Sequence, residues 1–143
     1  MTDEPDLQDG GLSVWVIGRQ FPNASDYWDG NWLTVRARMD ASGATVECGG
    51  AILMTSDTDR FRLELESLDA TLAGEATLVS YEPNLKATPE VMTLGHIEFE
   101  VAITPDHLNQ FHRFSVDLDQ SHLPPLIDAC ERILERFPVV GAP

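Results

Sequence analysis

Trp32-Leu33-Thr34-Val35-Arg36-Ala37-Arg38-Met39, then Asp40-Ala41-Ser42-Gly43, then Ala44 to Ile52, is the stretch that decides the fold. Leu33, Val35, Ala37 and Met39 share one face; Trp32, Thr34, Arg36 and Arg38 share the other. A period of two belongs to a strand with one buried side. Asp first and Gly last suit a tight turn, so Ala44 to Ile52 returns as the second arm of a hairpin. Gly49-Gly50 inside that return points to a bulge rather than to a phosphate-binding loop.

Upstream, Leu12 to Ile17 is apolar on both alternating faces and reads as a central strand. Gly18 to Asn31 is a loop holding Phe21, Tyr27 and Trp28. Residues 1–11 carry Asp3, Glu4, Asp6 and Asp9 and no base, and are expected to be a disordered acidic lead to a single domain over 12–143. Downstream, Ser56 or Asp57 can cap a helix whose apolar stripe is Phe61, Leu65, Leu68 and Leu72, with Gly74 ending it. Leu63 lies opposite that stripe. Either Arg60 to Leu65 is a strand, or Leu63 is exposed among Asp59, Glu66 and Ala70; the stripe and the cap favour the helix. Ala76 to Tyr81 and Leu85 to Thr88 read as strands broken at Pro83. Val91 to Ile103 reads as the longest strand, and Gln110 to Leu118 as another after a turn at Thr104-Pro105-Asp106. A helix from Ser121 to Phe137 follows. It tolerates Pro124 and Pro125 in its first turn, buries Leu126, Ile127, Cys130, Ile133, Leu134 and Phe137, and stops at Pro138. The expected fold is α+β: an antiparallel sheet of about six to seven strands with one inserted and one C-terminal helix packed on it. Arg36, Arg38 and Arg113 would face Glu98, Glu100 and Asp117 on its wet side.

The 143 residues carry a net charge of -15, from 24 acids against nine bases, of which Lys86 is the sole lysine. Such a surface repels nucleic acid and anionic membranes and favours a basic partner, although solubility alone also accounts for it. The acidic start lacks the basic and apolar parts of a secretory signal, which points to a cytoplasmic chain. Cys48 and Cys130 have no neighbouring cysteine and read as buried, inert thiols.

No nucleophile with a base, no hydrolase elbow and no phosphate loop can be named, so catalysis is not expected and no cofactor is implied. His96, His107, His112 and His122 lack the spacing of a metal site, and none is assigned. The most distinctive segment is the loop with Asp26, Tyr27, Trp28 and Asp29. It reads either as an aromatic, acidic contact surface or as packing, with Trp28 and Trp32 under the sheet and Asp29 and Asn31 tying down the loop. A second candidate contact is the helix face with Asp59, Leu63 and Glu66, an apolar anchor ringed by acids.

Asp29-Gly30-Asn31-Trp32-Leu33, the hairpin, the leucine-spaced helix, Tyr81-Glu82-Pro83-Asn84-Leu85, Asp119-Gln120-Ser121-His122-Leu123 and the closing Phe137-Pro138-Val139 occur in that order. The sequence thereby resembles the WapI family of bacterial immunity proteins and proteins related to them, from about Val14 to Gly141. The acidic lead and Pro124-Pro125 depart from the pattern. The resemblance implies protection against a delivered toxin, often a nuclease, and brings no catalytic residue. Within it Asp29, Asn31, Trp32, Glu82 and Pro83 look architectural. Two other readings stay open: a scaffold that self-associates as a homo-oligomer through an open sheet edge or the wet face, and a small enzyme or ligand carrier with a pocket beneath the helices.

Overall fold

A computed structural model of the chain describes residues 4–143. Strands β1 (Leu7–Asp9), β2 (Leu12–Arg19), β3 (Trp32–Ala41) and β4 (Ala44–Met54) form one antiparallel sheet in chain order. A single turn of helix, α1 (Tyr27–Gly30), precedes β3. Helix α2 (Thr55–Thr71) follows β4 directly. Strands β5 (Leu78–Val79), β6 (Leu85–Val91), β7 (His96–Ile103) and β8 (Arg113–Asp119) form a second antiparallel sheet. A 3-10 turn, Gln120–His122, leads into α3 (Leu123–Arg136).

The class is α+β, with one inserted and one C-terminal helix, but the single sheet of six to seven strands is two sheets of four. Each alternating strand has one apolar face to bury. Leu33, Val35, Ala37 and Met39 on β3, and Ile97, Phe99, Val101 and Ile103 on β7, all contribute to one core. Phe61, Leu65 and Leu68 of α2 and Leu126, Cys130 and Ile133 of α3 join it. Burying a side chain such as Phe61 stabilises by roughly 1.5–3 kcal/mol. The end of β4 meets the second sheet through a Tyr81 N–H to Ile52 C=O bond of 3.2 Å, not through a ladder.

The hairpin closes with Ala41 opposite Ala44, and Gly43 adopts φ +79°. Gly49 and Gly50 pair with Arg36 and Val35, and the register slips between Leu33 and Val35, so a bulge follows the glycines. Because Arg36 and Arg38 belong to the first sheet, they do not meet Glu98, Glu100 or Asp117. Arg36 stacks on Trp15 at 4.1 Å, and Arg38 bonds Asp40 at 3.0 Å. In the second sheet Arg113 approaches Glu100 at 3.9 Å and His96 approaches Asp117 at 3.3 Å.

Three elements differ from the sequence reading. Leu7–Asp9 is ordered as β1 where a disordered lead is expected; Met1–Asp3 lie outside the described residues. Leu7 is buried, Asp9 meets His122 Nδ1 at 2.7 Å, and Asp6 meets Arg136 at 2.6 Å, so β1 is fastened to α3. The run Val91 to Ile103 is broken by a turn over Thr93–Gly95 that makes β6 and β7 a hairpin. Pro89 sits inside β6 without harm. Its carbonyl accepts from Ala76 N–H, so its nitrogen points away from β7 and no donor to the β6–β7 ladder is lost. Lastly, α2 is capped at Met54, two to three residues before the expected cap, and Asp57 accepts the Met54 N–H at 2.9 Å. It ends in a left-handed Leu72, which is exposed rather than in the stripe.

Candidate functional site

The loop residues form a small, tightly held platform. Asp26 caps α1 by accepting the Asp29 N–H at 3.0 Å, as an aspartate at a helix start commonly does. Tyr27 and Trp28 meet edge to face at 5.0 Å, with Tyr27 half-buried and Trp28 58% exposed. Asn31 is fully buried. Its Nδ2 donates to the Tyr27 and Val140 carbonyls, each at 2.9 Å, and its Oδ1 accepts from Val140 N–H at 2.8 Å. Arg19 donates to the Gly30 and Pro138 carbonyls, and Thr55 donates to the Phe137 carbonyl. The C-terminal tail is thus clipped against α1. Gly141 adopts φ +65°, and a Cβ there would lie 2.7 Å from Tyr27 N, so the close approach requires glycine. Trp32 is half-buried and packs edge to face on Tyr81 at 5.5 Å. Packing therefore accounts for Asn31 and in part for Trp32, while Trp28 stands free of the core.

The helix residues form a second patch. Asp59, Leu63 and Glu66 fall at i, i+4 and i+7 on the outer face of α2. Leu63 is 53% exposed. Arg62 lies between the two acids and donates to Asp59 at 2.8 Å and Glu66 at 2.9 Å, which holds its guanidinium in the charged form. The acids are therefore partly neutralised by their own helix. The tail borders α1 at Gly30, through Arg19, and α2 at Asp59. Pro138 is bonded to Arg19, and with Val139 it lines a groove of about 460 Å³.

That groove brings Asp59 and Arg62 of α2 together with Glu131, Leu134 and Glu135 of α3. Sequence reasoning assigned Leu134 to the core and passed over Glu131 and Glu135. Their spacing of four on a helix was the available signal. A smaller hollow of about 140 Å³ lies on the second sheet among Glu75, Lys86, Thr88, Glu90, Glu98 and Glu100. Cys48 and Cys130 are free and buried, and burial pushes the thiols up to about 11 and about 12. Among the described residues, no group of three or more histidine, cysteine or acidic side chains is placed to hold a metal ion. Among them, too, no helix is long and apolar enough to cross a membrane.

The family model for the immunity protein WapI-like family matches residues 5–138. The chain belongs to that family. Comparison with curated proteins and with solved structures gave no match. The match spans β1 to Pro138, so α1, both sheets, α2 and α3 lie within it, while Val140 and Gly141 of the tail lie beyond it. The motif segments prove to be joints of that structure. Besides Asn31, the Asn84 amide donates to the Thr104 carbonyl at 2.9 Å, and Asp119 accepts the Ser121 N–H at 2.9 Å. Glu82 and Pro83 are exposed at the turn between β5 and β6.

Proposed function

We propose that this chain is a bacterial immunity protein that neutralises a basic toxin domain, one acting on nucleic acid, by binding it directly. The observation that carries the reading is the family match over residues 5–138. The charge of -15 supports a basic partner. Opposite charge raises the association rate and excludes wrong partners, and a nuclease presents a basic cleft where substrate phosphates bind. The protein acts in the cytoplasm of the cell it protects, by occupying the toxin and not by a reaction of its own. Binding of nucleic acid or of an anionic membrane is disfavoured by the same charge. The contact surface in this proposal joins Asp26, Tyr27, Trp28 and Asp29 to Asp59, Leu63 and Glu66 across the tail. Exposed Trp28 and Leu63 are its apolar anchors, and the acids surround them.

Co-expression of each neighbouring open reading frame, alone and with this protein, tests the proposal through growth. Rescue from a toxic neighbour, with one-to-one binding whose on-rate falls as salt rises, is the expected result. If no neighbour is toxic, the immunity reading falls, and self-association through the edge strands becomes the reading to test by sedimentation.

A further inference from the structure

The groove between α2, α3 and the tail combines features that the fold itself does not need. Leu134, Pro138 and Val139 give it an apolar lining, and Val139 remains 39% exposed. Asp59, Glu131 and Glu135 place three carboxylates against the single guanidinium of Arg62. That guanidinium is already shared between Asp59 and Glu66. Glu131 and Glu135 are one helical turn apart, where like charges repel. Among the described residues neither has an ion-pair partner. The groove's volume of about 460 Å³ is in the range, about 300–1,000 Å³, of cavities that take up ligands. The hollow on the second sheet is also acidic, but there Glu98 accepts from Ser115 and Glu100 is near Arg113. Its lining carries no large apolar side chain.

We infer that the α2–α3–tail groove is the docking site for a basic, amphipathic segment of a protein partner. An apolar side chain of that segment rests on Leu134 and Val139, and flanking lysine or arginine side chains reach Glu131, Glu135 and Asp59. Neutralising the Glu131–Glu135 repulsion adds to the attraction. This deepens the binding role proposed above and rests on it. It also shifts the weight of recognition from Glu66, already engaged by Arg62, to two glutamates on α3.

The test uses the full chain and a twelve-residue peptide alternating leucine with arginine and lysine, with a glutamate-substituted peptide as control. Binding is followed by fluorescence, and the contact is mapped by amide chemical shifts. The expected map is confined to residues 59–66 and 131–139. The double variant E131K/E135K should weaken binding at least tenfold. E98K/E100K, an equal change of net charge on the second sheet, should weaken it less than threefold. E131Q/E135Q, which removes the repulsion and keeps the shape, should give an intermediate loss. No peptide binding, equal losses in both lysine pairs, or a map centred on β6 and β7 overturns the groove. A cellular arm separates this from the immunity reading. If the wild type and E131K/E135K both rescue growth from a toxic neighbour, immunity stands and the groove falls. If the wild type rescues and the variant does not, although it folds, both stand. If the wild type rescues from none, immunity falls and the peptide map alone decides the groove.

Discussion

Replacing Asn31 with alanine should release the tail before it harms the core. Asn31 is completely buried and makes three side-chain hydrogen bonds, one to Tyr27 and two to Val140, at 2.8–2.9 Å. Each is worth about 1 kcal/mol net, and a buried group left unpaired costs about 1–3 kcal/mol. Val140 is half-buried, so its N–H and C=O regain water once the tail swings out. The Tyr27 carbonyl remains against α1. The expected loss is therefore roughly 2–3 kcal/mol, below the sum for three permanently orphaned groups. Urea unfolding gives the loss, and amide exchange at Val140 shows where it falls. Asn31→Asp should lose more, because it turns an acceptor toward two carbonyls. A loss for Asn31→Ala below about 0.5 kcal/mol, with Val140 still protected, would refute the clip.

Gly11→Ala should cost more than about 2 kcal/mol, because its Cβ would overlap the Asp40 carbonyl oxygen at φ +91°; a variant with the wild-type urea midpoint sinks that reasoning. Asp9 is buried, and desolvation raises its carboxyl above the ordinary 3.8, outweighing the His122 hydrogen bond and charge that lower it. Its contribution to stability is thus complete below about pH 3.8 and is lost as pH rises through the raised folded value. As pH rises above about 3.8, stability should fall more steeply in the wild type than in Asp9→Asn, and equal slopes in urea titrations would count against it. Both thiols should resist a disulfide reagent at pH 8 in the native protein and react fully in urea, given their burial and raised values. Labelling of either within minutes without denaturant contradicts the packing.

The hairpin from Trp32 to Met54 was readable because alternation and turn chemistry agree over one continuous stretch. The stripe of α2 exposed Leu63 by the same logic, since a helix has only one face to bury. Alternation says which side of a strand is buried and not which sheet it joins, so two sheets were read as one. The β6–β7 turn was missed because it places left-handed Leu94 at its tip, a residue without turn preference; Gly95 was the faint signal. Strand β1 hid in an acidic lead because Asp9 finds its partner 113 residues away. Of the candidate site, the exposed Trp28 and Leu63 were within reach of pattern. The groove was not, because it exists only where a tail crosses two helices that are distant in sequence.

The clip at Asn31 also sets an order of events during synthesis. Its partner Val140 lies 109 residues later in the chain. At about 5–20 residues per second, that interval is on the order of 5–20 s of translation. Throughout it, the hairpin that follows Asn31 can pair while the segment bearing Trp28 waits for its anchor. A settled α1 therefore marks a chain read through to Val140, and a product cut short before that point would carry the strands and helices without the clip that holds the loop bearing Trp28.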